Sequence, residues 1–130
     1  ARMESRGISI DKAMLARLPG RKIIFSNAPR HYTDAILRLT GIGQQFDAIY
    51  SIEQLQFRPK PAVSGFLRIL QREQLEARNC IMVEDSLINL VTAKKLGMKT
   101  VWVSAGLRRS VHVDVKLKTI THLPDYLGRL

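Results

Sequence analysis

The chain has 130 residues, 45% of them hydrophobic and 25% charged, a balance that suits one soluble globular domain with its own core. Its longest apolar runs, such as Ile81 to Val83 and Val101 to Val103, fall far short of the roughly 18 to 20 residues that span a bilayer, and no N-terminal run resembles a signal-peptide core, so no membrane partner is expected. A formal net charge of +10 suits a polyanionic partner, yet the 21 basic residues are scattered with no run longer than two and only 6% of residues are aromatic, so specific nucleic-acid binding is not expected.

Along the chain, residues 1–8 read as poorly ordered, and Ile10 to Leu18 reads as a short helix ending at Pro19-Gly20. Lys22 to Asn27 (KIIFSN) reads as a buried strand. A helix follows with Tyr32, Ala35, Ile36 and Leu39 at i, i+3, i+4 and i+7, and Gly41 stops it. Phe46 to Tyr50 reads as a second strand. Pro61, suited to a first helical position, opens a helix with Val63, Phe66, Leu67 and Leu70 on one face. Cys80 to Val83 is a third strand running into Glu84-Asp85-Ser86. The next helix turns Leu87, Leu90 and Val91 inward, faces Lys94 and Lys95 to solvent, and is capped at Gly97. Lys99 to Val103 makes a fourth strand, Ser104 to Val115 a connecting loop and Leu117 to Thr121 a fifth strand, before a closing segment from Pro124 to Leu130.

Short apolar runs alternating with helical periodicity predict an α/β domain with a mostly parallel sheet. The lone cysteine, Cys80, can form no internal disulfide and reads as a buried structural thiol in a cytoplasmic protein.

In open α/β sheets, ligands bind beyond the C-terminal ends of the strands, and three polar groups occupy such positions. Ser26 and Asn27 end the first strand just before a helix and offer a hydroxyl, an amide and backbone N–H groups to a phosphate, or else cap the helix. Lys60, between two prolines in Arg58-Pro59-Lys60-Pro61, is a cation on a stiff segment, able to pair with both a phosphate and a carboxylate. Its alternative is a solvated loop lysine. Glu84 and Asp85 place adjacent acids at the end of an apolar strand, where burial needs compensation. Magnesium bridging to a phosphate would supply it, while Asp85 or Ser86 could instead serve as the helix N-cap.

The ordered set, strand-Ser26-Asn27, Arg58-Pro59-Lys60-Pro61, strand-Glu84-Asp85-Ser86 with Asn89, and Leu96-Gly97-Met98-Lys99-Thr100, resembles the second, third and fourth motifs of the haloacid dehalogenase (HAD) superfamily. Its wording from LPGRKIIFSNA to GMKTVWVSAG is most similar to the pyrimidine 5'-nucleotidase branch, and the resemblance covers about Leu15 to Leu127. It implies a three-layer Rossmann-like core and a magnesium-dependent phosphatase of small phosphomonoesters. Ser26 would hydrogen-bond the transferring phosphoryl group with Asn27 beside it, Lys60 would neutralise charge, and Asp85 would hold magnesium with Glu84 in support. Asn89 stands where many members have another acid.

The family's nucleophile is the first aspartate of an Asp-x-Asp motif on a central strand; no Asp-x-Asp occurs in these 130 residues, and no cap domain is expected within them. The expectation is therefore a single, incomplete HAD-like core, inactive by itself, that is a fragment or truncated product of a longer enzyme. The exposed gap in the sheet would be filled by a complementing N-terminal segment, by self-association, or by Ser9-Ile10 as a substitute edge. The alternatives are a non-catalytic interaction or regulatory protein on the same scaffold and a basic nucleic-acid-binding domain.

Overall fold

A computed structural model describes residues 11–130; the expectations for residues 1–8, for the start of the Ile10 to Leu18 helix and for Ser9-Ile10 lie outside the described residues. The elements follow in the order α1 (Lys12–Ala16), β1 (Ile23–Phe25), α2 (Arg30–Thr40), β2 (Ala48–Tyr50), α3 (Val63–Arg72), β3 (Ile81–Glu84), α4 (Leu87–Lys95), β4 (Lys99–Val103), β5 (Val115–Leu117) and α5 (Leu123–Tyr126), with single 3-10 turns between some of them.

All paired strands are parallel. Successive strand residues face opposite sides, and the core divides accordingly. Ile24, Val83, Val101 and Val103 pack with Met14, Leu15, Leu37 and Leu123 on one side. Phe25, Met82 and Trp102 pack with Phe66, Leu90 and Ala93 on the other. Helices α1, α2 and α5 thus cover one face and α3 and α4 the other, giving three α/β layers.

Among the described residues the sheet is in two pieces, β1-β2 and β3-β4-β5. Between the N-terminal ends of β1 and β3 lies an apolar slot of about 330 Å³, lined in part by Leu15, Ile23, Phe46, Ile81, Val83 and Leu123.

β1 and β2 are shorter than the expected runs, β3 lies one residue later than expected, β4 matches, and the fifth is displaced. It pairs with β4 at Val115 to Leu117 rather than starting at Leu117, and Ile120–His122 is a 3-10 turn. Helix faces differ more. In α2, Thr33 and Leu37 are buried, whereas Tyr32 and Leu39 are 46% and 85% exposed. Thr33 is tolerated inside because its hydroxyl donates to the Pro29 carbonyl at 3.4 Å, so a polar residue occupies the inward stripe.

Helix α3 begins at Val63, two residues after Pro61, and buries Gly65, Phe66 and Ile69. A Cβ on Gly65 would lie 3.1 Å from the side chains of both Phe25 and Leu55. That close approach rotates the helix and leaves Val63 and Leu67 about half exposed. In α4 the buried residues are Asn89, Leu90 and Ala93, so an amide takes a place expected for Leu87 or Val91. Gly41 and Gly97, at φ 71° and 97°, do terminate their helices in the left-handed region. Cys80 is half-buried rather than buried; its thiol donates to the Glu76 carbonyl, and burial pushes its pKa up.

Candidate active site

The C-terminal ends of β1 and β3 carry the candidate residues, and Lys60 joins them. Its side chain is fully buried. The ammonium donates to the Phe25 carbonyl at 2.8 Å and to Glu84 Oε1 at 3.0 Å, and it lies 4.7 Å from the centroid of the Phe25 ring. A buried lysine is costly unless paired and hydrogen-bonded, and here a carboxylate, a carbonyl and a ring face compensate it.

The backbone of Lys60 is equally constrained. Its N–H donates to Asn27 Oδ1 at 2.8 Å, while Asn27 Nδ2 donates to the Lys60 carbonyl at 3.3 Å. Thr92 Oγ1, on α4, donates to the Pro61 carbonyl at 2.8 Å. The solvated-loop alternative for Lys60 therefore does not hold.

Ser26 is fully buried. Its N–H donates to the Tyr50 carbonyl, continuing the β1-β2 ladder, and its hydroxyl oxygen accepts from Ala28 N–H at 3.0 Å. Neither Ser26 nor Asn27 caps α2, because Pro29 occupies the N-cap position without a side-chain bond. The hydroxyl instead shapes the turn leaving β1, one residue beyond the carbonyl that holds Lys60.

Glu84 is also fully buried, and both of its oxygens engage protein donors. Lys60 Nζ and Asn89 Nδ2 reach Oε1 at 3.0 and 2.8 Å; the N–H groups of Asp85 and Ser86 reach Oε2 at 2.8 and 3.3 Å. Asp85 is partly exposed, and its carbonyl accepts from Trp102 Nε1 at 3.0 Å. Ser86 is the N-cap of α4 but makes no side-chain cap bond.

Magnesium keeps much of its water shell and needs only one or two carboxylates beside phosphate oxygens. Asp85 fits that role from its place on the rim. Glu84 was expected to support the metal, and its oxygens accept from Lys60, Asn89 and the backbone N–H groups of Asp85 and Ser86. Among the described residues there is no group of three or more His, Cys, Asp or Glu side chains that could hold a metal ion.

Sequence reasoning gave no positioning task to Asn89, Trp102 or Phe25. Their signals were present: an amide inside a helix that follows an acidic turn, and a single tryptophan in a buried strand, whose N–H needs a partner. Phe25 contributes a ring face and a backbone carbonyl, and residue type does not reveal the carbonyl.

A family profile described as haloacid dehalogenase-like hydrolase matches residues 14–103. The chain belongs to the haloacid dehalogenase-like hydrolase family. Among curated proteins it is 30% identical over 110 residues to hexitol phosphatase B of Escherichia coli strain K12, a match covering 79% of this chain and 49% of that protein. The chain thus spans about half the length of the curated relatives it matches.

Among solved structures, a HAD phosphatase from Thermococcus onnurineus superposes with a TM-score of 0.78 at 28% identity, over 90% of this chain and 56% of that one. The HAD hydrolase YfnB of Bacillus subtilis, bound to magnesium, gives 0.79 at 20% identity over 89% and 54%. The L-2-haloacid dehalogenase of Xanthobacter autotrophicus gives 0.77 at 18% over 89% and 58%. At these lower identities the likeness is one of fold. Among the described residues, no helix is long and apolar enough to cross a membrane.

Proposed function

We propose that this chain forms the phosphate- and magnesium-binding half of a HAD-type phosphatase acting on small phosphomonoesters. The observation that carries the reading is the buried Lys60 ammonium, clasped between the end of β1 and the end of β3. A preorganised cation at a strand-end rim is suited to the charge that develops during phosphoryl transfer. Ser26 and the turn after β1 would donate to the phosphoryl oxygens, Asp85 would hold magnesium, and Asn27 would serve by fixing Lys60. Bound magnesium would supply charge neutralisation to the phosphate.

Two substrate classes fit a small phosphomonoester. The wording of the motifs favours a pyrimidine nucleoside monophosphate; the curated relative, named hexitol phosphatase B, favours a sugar-alcohol phosphate. The alcohol differs while the phosphoryl site is shared, so the choice between them rests with parts of the protein that touch the leaving group.

Turnover needs a nucleophile, and the sequence contains no Asp-x-Asp. The chain alone is therefore proposed to bind phosphate without hydrolysing its esters. A complementing segment carrying that aspartate would pair with β1 and β3 over the apolar slot; association of two copies is the competing way to cover it. A cytoplasmic setting belongs to the same reading.

The test is phosphate release from a hexitol phosphate and from a pyrimidine nucleoside monophosphate, with magnesium, by the chain alone and by the chain supplied with an Asp-x-Asp strand. No release alone and release on complementation, lost in Asp85→Ala, is expected. Release by the chain alone overturns the inactivity; no release in either case, together with no binding of inorganic phosphate, overturns the enzyme reading.

A further inference from the structure

The two acids that end β3 are neighbours in sequence but have different surroundings. Glu84 is fully buried and accepts from Lys60, Asn89 and two backbone N–H groups. Asp85 is partly exposed, with its backbone carbonyl tied to Trp102. A side chain on α4 accompanies this division. Asn89 is 3% exposed, and its amide nitrogen donates at 2.8 Å to the same Glu84 oxygen that takes the Lys60 ammonium at 3.0 Å.

We infer that Asn89 is a positioning residue for Lys60, acting through Glu84: its amide fixes the carboxylate that in turn holds the ammonium at the strand-end rim. The inference rests on the proposed phosphoryl-binding role of Lys60 and adds to it the residue that sets the cation's place.

Three physical points carry it. A glutamate side chain has several torsions; the Asp85 and Ser86 N–H groups hold Oε2, and Asn89 adds to Lys60 a second donor on Oε1, from a separate element, that narrows the orientation of the carboxylate. The donor must be neutral, because one carboxylate already balances one ammonium and a further charge in this buried space would be left uncompensated. An amide supplies a hydrogen bond without charge, and it comes from a helix that is anchored about one turn further on by Thr92 to the Pro61 carbonyl. Lys60 is thereby held through its backbone by Asn27 and through its side chain by Glu84 and Asn89.

An apolar residue at this position would fill the core as well but would remove the amide donor that Glu84 Oε1 shares with Lys60. A carboxylate at position 89 would set two acids against one ammonium. Both changes displace Lys60 by different physics, which separates a positioning role from simple packing.

The test observes Lys60 directly, by nitrogen-15 NMR of the lysine ammonium groups in the whole chain. A buried ammonium whose protons exchange slowly is expected in the wild type. In Asn89→Ala and in the isosteric Asn89→Asp, that signal should shift and its exchange should quicken at least about tenfold, the factor equivalent to losing about 1.4 kcal/mol. Inorganic phosphate, titrated into the same samples, should bind several-fold more weakly to both variants.

An unchanged Lys60 signal in either folded variant overturns the inference. If neither variant folds, the wild type decides: the Asn89 side-chain amide should be protected from exchange and close to the Lys60 ammonium in nuclear Overhauser spectra, and absence of that contact overturns it equally. Failure of the wild type to bind phosphate would instead count against the phosphoryl role of Lys60, leaving the Asn89 result readable by itself.

Discussion

Asn27 and Lys60, 33 residues apart, hold each other by a reciprocal pair of hydrogen bonds: the Lys60 N–H donates to Asn27 Oδ1, and Asn27 Nδ2 donates to the Lys60 carbonyl. A side-chain amide imitates a strand partner here, fastening the Pro59-Lys60-Pro61 segment to the end of β1. Because both bonds use the amide, Asn27→Ala should lose about 1 to 3 kcal/mol of stability, at roughly 0.5 to 1.5 kcal/mol for each. Urea unfolding measures this, and a midpoint equal to that of the wild type would contradict it.

The Lys60–Glu84 pair should respond asymmetrically. Lys60→Met leaves a buried carboxylate without its cation and should cost about 3 to 5 kcal/mol. Adding Glu84→Gln removes the stranded charge, so the double variant should be more stable than Lys60→Met alone. Denaturation of the full double-mutant cycle provides the comparison, and strictly additive effects would show that the two groups do not act as a pair.

Asp114 should govern part of the acid limb of stability. Burial raises its pKa, but the hydrogen bonds from Lys94, the Thr100 N–H and the Thr100 hydroxyl, with the Lys94 charge, outweigh burial and leave it below the ordinary aspartate value of 3.8. A carboxyl depressed in the folded state contributes stability that is present above its unfolded pKa and lost as pH falls through the lower folded one. Stability measured from pH 7 down to about 2 should therefore fall more gently in Asp114→Asn than in the wild type across the region below about pH 4. Parallel curves would contradict the assignment.

Trp102→Phe keeps a ring in the core but removes the N–H that holds the Asp85 carbonyl. A loss of about 0.5 to 1.5 kcal/mol is expected, with weaker binding of a divalent ion such as manganese because the rim turn loosens. Isothermal titration reads the second effect; unchanged manganese affinity would show that the Asp85 turn is held by other contacts.

The parallel α/β plan was legible because apolar runs and helical stretches alternate, and β4 lies at Lys99–Val103 as its sequence indicates. Helix faces were harder to read. Gly65 seats α3 against Phe25, Thr33 hides its hydroxyl on Pro29, and Asn89 is buried by its bond to Glu84. Each is a residue whose place depends on a distant partner rather than on its own polarity. The same holds at the rim, where Ser26, Lys60, Glu84 and Asp85 were visible as residue types at strand ends. The different surroundings of Glu84 and Asp85 include neighbours from α4 and β4, which sequence spacing does not convey.

One phosphoryl group is proposed to bind where β1, the Lys60 segment and β3 end. Titration of the isotope-labelled chain with inorganic phosphate and magnesium, followed by NMR, tests it most directly. Shifts centred on Ser26, Asn27, Lys60 and Asp85, with the magnesium-dependent part lost in Asp85→Ala, are the predicted result. Saturable shifts confined to other basic surfaces, such as that around Arg109 and Arg129, with these four residues unmoved, would contradict the account.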